Sequence, residues 1–295
     1  MSVTRRFVAA ATARTVTAVV RAVLEEHAPG GQQRWLRTNH RGEPVSMLEG
    51  PSVAAGVLAG ALVAPGRAAA ATAVATATGA AFGIVDDLAE DTEDRRKGLR
   101  GHLGALAQGR VTTGGLKVLG IGAGALLAAA IATPRTSSTG ERRGLLGWGA
   151  DVAMSGALVA TSANLVNLLD LRPGRALKAS TLTALPLVAA PGGGAVGAAS
   201  VVGASAAAAG ADLAETDMLG DGGANALGAA LGASLVLSAP RPVRLAALAA
   251  TLGLTLASEK VSFTTVIEST PVLRDIDRWG RRPVHVPAEP PGDEG

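Results

Sequence analysis

The sequence has no cysteine and no tyrosine, and aromatic residues fill only 2% of its 295 positions. Without cysteine there are no disulfides and no thiolate metal sites, which leaves the compartment open. The shortage of aromatics nearly removes the interfacial belt that usually brackets membrane-spanning segments. Charge is also missing from long stretches. Residues 68–85 (AAAATAVATATGAAFGIV) and 118–134 (VLGIGAGALLAAAIATP) carry none, and 179–211 is uncharged and broken only by PGGG. Runs of this kind approach the roughly 17–25 residues that cross a hydrocarbon core.

What is present is apolar and small: 48% hydrophobic residues, 39 glycines and a mean hydropathy of +0.32. The pattern reads as an all-α, polytopic integral membrane helical bundle. Helices are expected at 5–24, 50–64, 68–85, 116–133, 145–165, 178–190, 194–210, 224–239 and 243–258, about nine spans separated by APGR, ATPRTSSTGERR, APGGG and SAPRPVR. The first stretch carries Arg14 and Arg21 and makes a poor membrane helix, with a signal peptide or a surface helix as alternatives. A soluble Ala-rich α/β protein is the competing class. Its support is KVLGIGAG, with Gly120, Gly122 and Gly124 followed about twenty residues later by Glu141, as in a dinucleotide-binding turn. No alternation of strands and helices surrounds that motif, and small residues in apolar helices commonly serve close packing.

Residues 1–282 form one transmembrane domain in this reading and 283–295 a flexible tail. If 25–49, 86–115, 166–178, 211–223 and 259–295 share a side, that side holds 18 basic residues with Arg21 and Lys117 included, against 9 on the other. The richer side is therefore cytoplasmic and the protein a multi-pass protein of the inner (plasma) membrane. Arg274, Arg278, Arg281 and Arg282 read as a tail that meets anionic headgroups, with no nucleic-acid role.

Carboxylates gather at the cytoplasmic ends of the apolar runs. Asp86 and Asp87 lie in GIVDDLAED and Asp221 in MLGDGGANALG, while NLVNLLDLRPGRALK places Asn164, Asn167 and Asp170 at i, i+3 and i+6 on one helical face. Position makes such groups cheap, and Asp221 beside two glycines also suits a cap for helix 224–239. Lys97, Arg100, His102 and Lys117 follow the paired aspartates. Hard oxygen ligands mixed with cationic donors are what a metal-plus-phosphate site needs.

The ordered blocks N-x-R-G (Asn39 to Gly42), GIVDD, KGLRGHL, TTG…K, N-x-x-N-x-x-D and MLGDGGANALG resemble the polyprenyl-phosphate N-acetylhexosamine-1-phosphate transferases over residues 39–228. That superfamily includes phospho-N-acetylmuramoyl-pentapeptide transferase and the UDP-GlcNAc:undecaprenyl-phosphate GlcNAc-1-phosphate transferases. The resemblance implies a Mg²⁺-dependent reaction, with Mn²⁺ as a substitute, between a UDP-sugar and undecaprenyl or decaprenyl phosphate in the bilayer, releasing UMP as the first step of a cell-envelope glycan. It implies Asp221 as the metal ligand, and Asp86 and Asp87 as catalytic groups, either beside the metal or as base for the lipid phosphate. Asn164, Asn167 and Asp170 match the nucleotide-pocket segment, and Lys97, Lys117, Asn39 and Arg41 are implied substrate contacts. Gly222 and Gly223 are expected to leave room for diphosphate at the backbone, and a homodimer is the expected assembly if there is one. Leu171 and Pro173 stand where the family pattern has a glycine and a second aspartate, and 258–282 lack the usual histidine cluster. The alternatives are a non-catalytic relative that binds lipid phosphate or nucleotide, and a transporter.

Overall fold

The computed structural model describes residues 1–89, 113–136, 140 and 142–283. Lys97, Arg100, His102, Glu141 and the tail from 284 onward lie outside the described residues. Eleven helices are present among those described: α1 Val3–Glu26, α2 Glu49–Ala61, α3 Gly66–Ala89, α4 Thr113–Ala132, α5 Leu145–Leu169, α6 Arg175–Ala189, α7 Ala195–Leu213, α8 Gly220–Ser238, α9 Arg241–Ser258, α10 Phe263–Ser269 and α11 Pro271–Arg278. One hairpin interrupts them, β1 Leu36–Thr38 antiparallel to β2 Pro44–Ser46, with Arg37 opposite Val45. The fold is all-α, and each of the nine expected helices is there.

Nine helices need not make nine spans. Five of them, α1, α3, α4, α5 and α7, are long and apolar enough to cross a membrane. The 13 residues of α2 rise only about 20 Å, short of a hydrocarbon core of about 30 Å. α6 has 15 residues with Pro186 inside it.

α8 is the axis of the bundle and is buried along almost its whole length. Only small side chains let neighbours come this close. A Cβ at Gly79 of α3 would lie 2.7 Å from the Asn225 carbonyl oxygen, and one at Gly232 would lie 2.7 Å from Val159 Cα of α5. Backbones in such contact leave no room for alanine without moving a helix. KVLGIGAG serves the same purpose. It lies within α4, with Gly120 against the Phe82 ring and Gly124 against Thr78. These glycines are notches for α3, which corrects the dinucleotide-turn reading.

Candidate functional site

The ends of α3, α4, α5 and α8 meet at the MLGDGG segment. Gly220 takes φ +62°, which turns the chain into α8. The helix then begins at Gly220, four residues earlier than the sequence suggests, so Asp221 lies inside the first turn. Asp221 is therefore not the cap. The cap comes from α3: Asp87 Oδ1 accepts the Asp221 N–H at 3.0 Å and Oδ2 accepts the Gly222 N–H at 2.9 Å. A carboxylate here answers two of the unpaired N–H groups and the positive end of the helix dipole. The side chain of Asn225 donates back to the Asp221 carbonyl at 2.7 Å, which completes the turn.

Asp86 and Asp221 are bridged by Lys117 of α4. Its Nζ donates to Asp86 Oδ2 at 3.1 Å and to Asp221 Oδ2, and all three side chains are largely buried. Two carboxyl groups thus share one ammonium. Asp170 follows α5 and lies near the start of α8, close to Asp87 and Asp221. Burial pushes its carboxyl well above the usual range, and Asp212, Asp221 and Asp87 add to the rise.

A second layer holds this turn from the N-terminal side. Ser46 of β2 donates its N–H to Thr216 O at 3.0 Å and accepts from Met218 N at 2.8 Å, so the hairpin continues onto the loop before α8. Arg21 grips Asp217 with two bonds of 2.6 and 2.7 Å. Arg41 Nε donates to both oxygens of buried Glu215 at 3.0 and 3.1 Å, and Asn39 Nδ2 reaches the same carboxylate at 3.3 Å. Glu215 is the one non-glycine residue with positive φ among the described residues, +61°, a strained conformation that its partners sustain.

The expected site residues thus divide. Asp86, Asp87, Lys117, Asp170 and Asp221 come together. Asn39 and Arg41 shape the loop through Glu215, and Lys97 lies outside the described residues. Asn164 turns to α9, donating to Thr255 Oγ1 at 3.2 Å, whereas the Asn167 side chain has no hydrogen-bond partner among the described residues. Room at Gly222 is not open: a Cβ there would lie 2.6 Å from Ile84 Cγ1. DLRPG forms a turn in which Gly174, at φ +70°, donates its N–H to Asp212 at 3.2 Å and the Pro173 carbonyl accepts from Arg281 at 2.8 Å.

Several participants carry no sequence signal. Arg37 donates to the Asp87 carbonyl at 2.6 Å, and Glu49 is buried with neither carboxylate oxygen hydrogen-bonded among the described residues. Only their nearness to Asn39 and to the first residue of an apolar run could have flagged them. No group of three or more His, Cys, Asp or Glu side chains placed to hold a metal ion occurs among the described residues. No family model matches the chain and no curated protein matches it.

Proposed function

We propose that the protein transfers a sugar-1-phosphate from a UDP-sugar to a membrane polyprenyl phosphate at the Asp86–Lys117–Asp221 cluster, on the cytoplasmic face of the inner (plasma) membrane. The observation that carries this reading is the convergence of Asp86, Asp87, Lys117 and Asp221 at one helix start, across chain separations of 31, 104 and 134 residues. In the reaction, a lipid-phosphate oxygen bonds to the β-phosphorus, the bond from that phosphorus to the bridging oxygen breaks, and the electron pair leaves with UMP.

The donor set fits Mg²⁺ in one form. A cage made by the protein alone is not found among the described residues. Two hard carboxylates drawn onto one ammonium, however, suit an ion that keeps its waters and takes the rest of its shell from phosphate. Asp221 and Asp86 would hold it, and the bound ion would offset the charge of the two anionic substrates. The other residues have assignments of their own. Lys117 is a cation for diphosphate. Asp87 fixes the turn that carries Asp221, which makes it a positioning residue. Asn167, with its free amide one turn before Asp170, is placed to meet the nucleotide.

A non-catalytic binder of lipid phosphate or nucleotide is the second reading. It is favoured by the fact that Asp87 and Lys117 both hold helices together. Purified full-length protein in detergent, given Mg²⁺, undecaprenyl phosphate and a panel of UDP-N-acetylhexosamines, separates the two. UMP and a lipid-diphospho-sugar are expected together. Nucleotide binding without either product would establish the second reading.

A further inference from the structure

α11 is turned inside out. Val272, Leu273, Ile276 and Trp279, which follows it, are 68%, 44%, 41% and 77% exposed, whereas the one buried residue of the helix is Asp277. Asp277 is pinned to the bundle: Arg175 donates to its carboxylate at 2.8 and 3.2 Å, Arg281 at 2.6 Å, and Lys178 to its carbonyl at 2.8 Å. A helix on a water-facing surface shows the opposite arrangement, with its apolar side packed inward.

The depth of α11 is fixed by its neighbours. Ile276 and Trp279 line a groove of about 720 Å³ with Leu182, Val202 and Leu213, and its walls are almost entirely apolar. Leu213 ends α7, one of the five helices able to span a membrane. The apolar side of α11 therefore continues the apolar flank of a spanning helix at the level where that helix stops, the level at which tryptophan prefers to sit. Arg278 is exposed on the same helix, a cation at headgroup height.

We infer that α11 lies in the boundary between headgroups and hydrocarbon of the bilayer, with Val272, Ile276 and Trp279 inserted among lipid chains. This holds whether or not the chain is an enzyme, since it rests on the spanning helices and on α11 alone. Burial opposes ionisation of Asp277, but the bonds and charge of Arg175, with the charges of Arg281 and Lys178, together outweigh it and hold the carboxyl below the usual range, so the latch stays charged as the outer face meets lipid.

Because the chain has no cysteine, single cysteines at Val272, Ile276 and Trp279 can be spin-labelled in the full-length protein without other changes. In vesicles of phosphatidylcholine and phosphatidylglycerol, collisions with oxygen should exceed those with a water-soluble nickel chelate several-fold at all three sites. A label at His27, 77% exposed in its side chain just beyond α1, should show the reverse. Nickel access at the α11 sites equal to that at His27 would place the helix in water. Protection from both reagents would mean that protein covers the face. Either result overturns the inference.

Discussion

The carboxylate of Asp87 takes the backbone N–H of Asp221, 134 residues away in sequence, at 3.0 Å, and so joins the two acidic motifs through a helix cap. The paired aspartates are therefore unequal: Asp86 faces Lys117, and Asp87 faces the α8 backbone.

Asp87→Ala should lower stability by about 1–2 kcal/mol, the usual cost of losing a helix cap, and Asp87→Asn by less, since its amide oxygen still accepts one N–H. Thermal unfolding in detergent measures both. A purely chemical role for Asp87 would leave the unfolding midpoint unchanged while turnover fell.

Lys117 can be weighed by a double-mutant cycle. Lys117→Ala leaves Asp86 and Asp221 facing each other without their cation and should cost about 1–3 kcal/mol. Asp221→Asn in the same chain should restore part of that loss. Additive effects of the two changes would show that the bridge contributes nothing.

Asp170 gives a pH dependence of defined sign. Its folded-state carboxyl titrates well above its unfolded value, so between the two the folded protein holds a proton that the unfolded chain has released. Stability then falls as pH rises through that interval, which begins at about 3.9. Asp170→Asn should flatten this part of the unfolding profile. An unchanged slope would remove Asp170 as its source.

Topology is open to direct labelling. Cysteines at exposed Ala214 and Thr216, just before α8, should resist an impermeant thiol reagent in intact cells and react in inverted vesicles. Labelling in intact cells would put the carboxylate cluster on the side away from UDP-sugars.

The helices were legible in the sequence because uncharged runs bounded by Pro and Gly leave few alternatives to an apolar helix. Their roles were less so. α2 is as apolar as the long helices and differs from them in length, whereas α6 is both shorter and interrupted by Arg175, Lys178 and Pro186. Asp86, Asp87, Asp170 and Asp221 were recognisable from their motifs, but Glu49, Asp212, Glu215 and Asp217 were not, nor was which carboxylate caps α8. A cap supplied by another helix leaves no local signature, and MLGDGG looks the same whether Asp221 or Asp87 closes the turn. Asn39 and Arg41 were recognisable as a polar pair, yet their shared partner Glu215 lies some 175 residues on and was invisible without the hairpin that brings them together.

In the proposed transfer Asp221 supplies catalytic charge, while its backbone and Asp87 secure the fold. Mg²⁺-dependent UMP release from a UDP-sugar and undecaprenyl phosphate should be measured on Asp221→Asn beside the unaltered protein, with unfolding midpoints recorded on the same samples. A folded variant whose turnover has collapsed is expected. A folded Asp221→Asn protein that releases UMP at the unaltered rate would contradict that role.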